Sequence, residues 1–342
     1  VEAKGKGLLA AAAGAAVATV LTRAAVDRTR RRVEAEAAPA LRSAARTVTT
    51  PDGVQLHVEV DEPDTAMAPG AATLVFVHGF TMSQDCWHYQ RAHFRGQRRM
   101  VLFDHRSHGR SSTSPTEGLT IDQLGCDLLQ VLDEVVPTGP VVLVGHSMGG
   151  MTILSLAEQF PDLFGDRVVG VVLVGTAAGG LATVSVLAPI IPDRLHEAIK
   201  PPLTKALRRI APALDRSRQR MPNAMFLGAR AVGLGAGATP EKVGLVARDL
   251  SVMPSLVVLD MSATFDDHDR YHTLAVIGRV PTLVVSGTRD LITPAKHSRD
   301  LHEGIPGSRL LSLQGAAHCV MIERDVEVNE ALEELLVAAE HR

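Results

Sequence analysis

The chain has 342 residues, and its 35 Lys and Arg against 38 Asp and Glu leave a formal charge of −3. That balance lacks the strongly basic face a nucleic-acid binder needs, and Cys86, Cys126 and Cys319 are too few and scattered for a disulfide framework, so free thiols are expected. A hydrophobic share of 46% suits one large core plus an insertion, while an aromatic share of 3% means that a pocket must be built mainly from Leu, Val, Ile, Met and Ala.

Residues 7 to 22 are Ala-rich and carry no charge. As a helix they would span about 24 Å, short of the ~30 Å hydrocarbon core of a bilayer. Lys4 and Lys6 precede them, and Arg23, Arg28, Arg30, Arg31 and Arg32 follow. Three readings stay open: a marginal membrane anchor over residues 1–22, a soluble or peripheral Ala-rich helix, and a secretory signal peptide. The excess of arginine on the far side favours a cytoplasmic location for the rest of the chain, and no small-x-small cleavage site lies close to the apolar run. Membrane association through this segment is therefore expected ahead of secretion. Residues 23–46 read as a charged helical linker.

From Thr47 the pattern changes. Thr47–Thr50, the turn Pro51-Asp52-Gly53 and Val54–Val60 alternate like an antiparallel hairpin. Short apolar, β-branched runs then recur at Thr73–Val77, Met100–Phe103, Val141–Val144 and Val168–Val174, with helical stretches between them. One helix opens on Thr120-Ile121-Asp122-Gln123, a capping-box pattern, and runs to Val136 before Pro137. Strands alternating with helices imply a mostly parallel sheet whose carboxyl-end loops carry a site.

Gly145-His146-Ser147-Met148-Gly149-Gly150 lies between the run Val141–Val144 and the helical stretch Met151–Phe160. A serine between two glycines at a strand-to-helix junction fits the nucleophile-elbow turn. There Gly145 and Gly149 leave room for the bend, and the hydroxyl stands above the sheet edge. A serine needs a base, and the base needs an orienting acid. Two later segments carry candidates for them. Asp290 follows the strand Thr282–Gly287, and His318 follows the strand Ser308–Leu313. Between Leu181 and Gly278 lies an insertion of short helical stretches broken by prolines.

Together these segments resemble the α/β-hydrolase fold superfamily of serine esterases and lipases, from about Thr47 to about Ala339. The resemblance extends to Val75-Phe76-Val77-His78-Gly79-Phe80, the strand and His-Gly turn of that family. It also covers Asp104-His105-Arg106-Ser107-His108-Gly109-Arg110-Ser111, where Ser107 stands in place of the usual glycine. The ending His318–Glu323 fits as well, with Ala317 replacing the common glycine before the histidine. The implied fold is α/β, a mostly parallel eight-stranded sheet flanked by helices. Its core covers residues 47–180 and 279–342, and a helical cap covers residues 181–278.

The resemblance implies Ser147 as nucleophile, His318 as base and Asp290 as the acid that orients it, with the backbone amides of Phe80 and Met148 as the oxyanion hole. His78, Gly79, Gly145 and Gly149 would shape the supporting turns. The implied activity is cleavage of carboxylic esters, on a small-molecule or lipid substrate of lipase or carboxylesterase type, with no cofactor and no metal. The same triad serves acyl transfer, perhydrolysis and carbon–carbon bond hydrolysis, and the residues do not separate these. An epoxide hydrolase or dehalogenase needs a carboxylate where Ser147 stands. A non-catalytic binding protein on this fold would usually lack a triad member, and this chain keeps all three.

The other histidines have plainer readings. His78 should hydrogen-bond the loop backbone, His146 should pack or line the pocket, and His105 and His108 should belong to a structural turn. Asp266-Asp267-His268-Asp269, the densest candidate for metal ligation, reads as a solvated loop. In the insertion, Arg208, Arg209, Arg216, Arg218 and Arg220 read as a solvated face rather than a contact for acidic headgroups. Gly228, Gly233, Gly235 and Gly237 read as a flexible stretch that would let the cap open.

Overall fold

The computed structural model describes residues 41–181, 205–217 and 222–341. The expected anchor, nearly all of the charged linker, Arg218 and Arg220 lie outside the described residues. Among the described residues no helix is long and apolar enough to cross a membrane.

Eight strands form one sheet in the order β1-β2-β4-β3-β5-β6-β7-β8. They are β1 Ala45–Thr49, β2 Gln55–Asp61, β3 Thr73–Val77, β4 Met100–Phe103, β5 Val141–His146, β6 Val168–Val174, β7 Thr282–Gly287 and β8 Arg309–Leu313. The β1–β2 and β2–β4 pairs are antiparallel, and the remaining pairs are parallel. The helices are α1 His88–Phe94, α2 Ile121–Val135, α3 Met148–Gln159, α4 205–217, α5 Pro222–Gly228, α6 Pro240–Val252, α7 Ser255–Ala263, α8 Leu274–Ile277, α9 Ala295–Gly304, α10 Val320–Glu323 and α11 Asp325–Glu340.

The period-2 geometry of a strand divides the core into two layers. Leu74, Phe76, Met100, Leu102, Val142 and Val144 face the side covered by α1, α10 and α11. Val75, Val77, Val101, Phe103, Val141 and Leu143 face the side covered by α2, α3, α8 and α9. With both faces covered, the central strands are buried along their whole length, which is why they read as unbroken apolar runs. The Thr120 hydroxyl caps α2 by accepting from the Gln123 amide at 3.1 Å, but the Gln123 side chain donates to Asp127 instead of completing the box.

Charged pairs lock the hairpin side of the sheet. The buried Arg106 guanidinium holds Asp127 at 2.6 Å and Asp52 at 2.8 Å. Arg91, also buried, clamps Asp61 at 2.7 Å and Glu59 at 2.8 Å. Removing one partner from such a pair leaves an uncompensated buried charge, a cost of about 3–5 kcal/mol. Ser107 adopts φ 61°, the left-handed backbone for which glycine is the easier residue, and its hydroxyl accepts from the Ser114 amide at 2.8 Å.

Helices α4 to α7 are inserted between β6 and β7. The chain rejoins the core at His268–Arg270, ahead of the boundary expected at 278: His268 Nε2 contacts the Ala177 carbonyl at 3.0 Å, and the Arg270 amide donates to the Ala178 carbonyl at 2.6 Å. The solvated loop expected at Asp266–Asp269 is thus anchored through a buried His268. In the basic cluster, Arg208 pairs with Asp260, and Arg216 donates to the Pro212 carbonyl at 3.0 Å.

A second fastening joins α6 to the loop after β3. Asp249 Oδ2 accepts from the Ser83 amide at 2.8 Å and from the Ser83 hydroxyl at 3.0 Å. Burial, with the nearby charges of Asp85 and Asp104, pushes this carboxyl from 3.8 up to about 7 against the opposing effect of the Ser83 hydrogen bonds. The folded state therefore holds the proton more tightly than the unfolded chain, so this residue's contribution to stability falls as pH rises from about 4 to about 7. Asp249→Asn keeps an acceptor oxygen without the charge. It should raise stability over the parent at about pH 8 and leave it nearly unchanged at about pH 4. Urea unfolding at the two pH values measures this, and an equal difference at both would contradict it.

Candidate active site

The centre of the site is the turn from β5 into α3. Ser147 adopts φ 51° and ψ −117°, a conformation that costs a non-glycine residue about 1–3 kcal/mol and needs support from its surroundings. That support is visible. The Ser147 amide donates to the Val174 carbonyl at 2.9 Å, and the Thr176 hydroxyl donates to the Ser147 carbonyl at 2.8 Å. A Cβ on Gly149 would lie 2.1 Å from the Val77 carbonyl oxygen, and one on Gly145 would lie 2.6 Å from the Gly149 oxygen. The two glycines let helix α3 cross the end of β3 at backbone contact.

Across this turn lies the loop after β3. A Cβ on Gly79 would stand 2.6 Å from His146 Nδ1 and 3.2 Å from Ser147 Cβ, so that loop runs directly against the elbow. Phe80 follows Gly79, and Met148 opens α3, where the first amides have no intrahelical acceptor. The elbow and the turn thus bring the loop that carries Phe80 against Ser147, and Phe80 packs on the cluster that holds Met148. His78 holds the loop as expected, with Nδ1 2.8 Å from the Gly79 carbonyl and Nε2 accepting from the His105 amide at 2.9 Å. These contacts define a neutral ring with the proton on Nδ1, and burial pushes its pKa down to about 4.

In the loops after β7 and β8, His318 Nδ1 lies 2.8 Å from Asp290 Oδ2. An ionised carboxylate only accepts, so Nδ1 carries the proton and Nε2 is left with its lone pair. Asp290 Oδ1 accepts from the Ile292 and Thr293 amides at 2.8 and 2.9 Å, and Oδ2 also accepts from the Thr293 hydroxyl at 2.7 Å. Burial alone would raise the carboxyl, but the His318 ring and the Thr293 hydrogen bonds hold it below the usual carboxylate range. Asp290 is therefore a fixed anion. Thr293 is a site residue to which the sequence reading gave no role, although the Thr-Pro after Asp290 was its signal.

The elbow and the base loop meet at His146. Its ring centroid lies 4.8 Å from that of His318, and its Nε2 is 3.2 Å from the His318 carbonyl. Burial pushes the His146 pKa down to about 3, so it packs as a neutral ring. No hydrogen bond joins Ser147 Oγ to the His318 ring among the described residues. Such contacts are often long without substrate and tighten once it binds. Met148 and Met151 pack with Leu119, Ile121 and Leu124 against Met253, Val257 and Met261, the last two on α7, with Phe80 and Phe265 at the margin. Among the described residues no group of three or more His, Cys, Asp or Glu is placed to hold a metal ion.

Fold and site define an α/β scaffold that presents a serine beside an Asp–His pair. Residues 72–325 match the family model of the alpha/beta hydrolase fold, and the chain belongs to that family. It is 28% identical over 264 residues to the dihydrolipoyllysine-residue acetyltransferase component of the acetoin cleaving system of Pseudomonas putida, a match that spans 77% of this chain and 63% of that protein. It is 27% identical over 266 residues to 3-oxoadipate enol-lactonase 2 of Acinetobacter baylyi, covering 77% of this chain and 88% of the relative. Among solved structures, a thermophilic esterase from Thermogutta terrifontis superposes with a TM-score of 0.66 at 23% identity, over 87% of this chain and 100% of that one. At that identity the likeness speaks for the fold.

The tightness of the elbow is testable without an activity assay. Gly149→Ala would drive a methyl into the Val77 carbonyl and should cost stability by about 1–3 kcal/mol or more, as overpacking does. Gly237→Ala, where a Cβ meets nothing within 4 Å, serves as the reference. Urea unfolding of both variants decides the point. Equal stability of the two would mean that the crossing is looser than described.

Proposed function

We propose that this protein is a serine hydrolase of carboxylic esters that works through an acyl-enzyme. One observation carries the reading: the 2.8 Å contact of His318 Nδ1 with Asp290, which commits the ring to the tautomer whose Nε2 is a base. In this mechanism His318 Nε2 takes the proton from Ser147 Oγ as the oxygen attacks the ester carbonyl. The developing oxyanion is met by the amides of Phe80 and Met148, while the fixed Asp290 anion stabilises the imidazolium. His318 then returns the proton to the departing alcohol. Water attacks the acyl-enzyme by the same steps, and the acid is released.

Ser147→Ala should abolish ester hydrolysis and leave the fold intact, because the side chain is small and faces the site. Asp290→Asn should lower turnover by a factor on the order of 10⁴, since an amide cannot stabilise the imidazolium and favours the wrong tautomer. Rates on a short p-nitrophenyl ester, with circular dichroism to verify folding, test both. Activity within about tenfold of the parent in Ser147→Ala would rule out the nucleophile.

The apolar cluster around Phe80 and Met148 supports aliphatic acyl groups as the substrate class. Each buried methylene is worth about 0.8 kcal/mol, so kcat/KM should climb from acetate upward until the space is filled. A lactone is an internal ester, and the enol-lactonase relative supports cyclic esters as a second reading. A series of linear p-nitrophenyl esters run beside alkyl-substituted γ-lactones compares the two. A flat or falling profile along the linear series, with fast opening of the lactones, would favour the cyclic class.

A further inference from the structure

The stretch containing Gly233 and Gly235, read from the sequence as a flexible opening for the cap, is bound on both sides of His318. Immediately after the histidine, the Cys319 amide donates to the Gly233 carbonyl at 2.7 Å. Immediately before it, the Ala317 amide donates to Glu323 Oε2 at 3.0 Å, and the same oxygen accepts from the Gly235 amide at 2.8 Å. Glu323 ends α10, so its carboxylate folds back over the loop that carries the histidine. A third tie comes from α6, where Lys242 Nζ donates to the Glu323 carbonyl at 3.2 Å and pairs with Asp325. The fit at Gly235 is close: a Cβ there would stand 2.3 Å from Glu323 Oε1 and 2.7 Å from the Gly315 carbonyl.

We propose that Glu323 is a positioning residue that couples the inserted helices to His318, its one oxygen holding a cap amide and the amide next to the histidine in fixed relation. Without it, the loop from Gly315 to Cys319 keeps only the Cys319 tie to the cap, and the ring is placed by Asp290, Thr293 and the contact of His146 with the His318 carbonyl, none of which reaches the cap. One polar group thus sets both the seat of the cap and the orientation of the base. A displacement of the 233–235 segment is passed to His318 through two hydrogen bonds. A loss of aim of this kind lowers the rate of proton transfer far more than it lowers binding, because catalysis depends on geometry that binding does not need.

The inference rests on His318 acting as the base, and the test separates the two ideas. Glu323→Ala, Glu323→Gln and Gly235→Ala are made in the full chain and titrated with a fluorophosphonate probe, so that kcat is counted per reactive serine. Glu323→Ala should lose about 10- to 100-fold in kcat with KM within about twofold, the signature of a lost transition-state interaction. Glu323→Gln keeps an acceptor oxygen for both amides and should restore most of that rate. Gly235→Ala, which presses on the carboxylate from the cap side, should lower kcat in the same way, and it keeps the test decisive if Glu323→Ala does not fold. Parent-like kcat per titrated site in both Glu323→Ala and Gly235→Ala would overturn the proposal. So would a Glu323→Gln variant as slow as the alanine one. A parent enzyme that the probe fails to label would instead overturn the reading of Ser147 and His318.

Discussion

The approach of α3 to the end of β3 is the constraint on which the rest of the site depends. At Gly149 the helix backbone runs so near the Val77 carbonyl that no side chain fits between them, and at Gly145 the strand leaves no room for one either. That crossing forces Ser147 into its φ 51° conformation and points the first turn of α3 at the loop after β3. Gly79 completes the contact from the other side. The amide carriers and the hydroxyl therefore owe their proximity to backbone sterics and not to mobile side chains.

Electrostatics then set His318 apart from four buried histidines around it. Burial holds His78 at about 4, and His108 and His146 at about 3, and it depresses His105 further. Three of these rings cluster, with His78 centred 4.5 Å from His105 edge-to-face and 5.4 Å from His108 in a tilted contact. They are neutral packing groups at any ordinary pH. His318 differs in having a carboxylate on Nδ1, and that carboxylate is itself saturated by Ile292 and Thr293. An imidazolium at His318 is paired at once, whereas a charge on any of the other four would be stranded.

Much of this was legible in the sequence, and for a definite reason. Strands β3, β4, β6 and β7 have the very ends expected, because a buried parallel strand is an apolar run bounded by polar or glycine residues. The elbow was legible because its glycines are a steric requirement. The reading faltered where structure depends on single polar contacts between distant residues. Gly233 and Gly235 look flexible by composition, yet hydrogen bonds from Cys319 and to Glu323 fasten them. In Asp266–Asp269 the three aspartates are exposed as read, and His268 alone turns inward, to the Ala177 carbonyl. Asp249 on Ser83 and Thr293 on Asp290 have no periodic signature, since a pair 166 residues apart or a hydroxyl three residues on leaves the hydropathy pattern unchanged.

The contacts of the inserted helices follow a consistent division. Apolar contacts reach the first turn of α3, where Met253, Val257 and Met261 meet Met148 and Met151. The polar ties lie to either side: Asp249 on the Ser83 that follows the Phe80 turn, and Glu323 between Gly235 and Ala317. Dispersion contacts among unbranched, polarizable methionines tolerate small shifts, so a region packed in this way can adjust its shape at little cost. Hydrogen bonds lose strength steeply with misalignment and fix position instead. The two kinds of contact are segregated, with adaptable packing at Met148 and Met151 and directional bonds at the loops that carry Phe80 and His318.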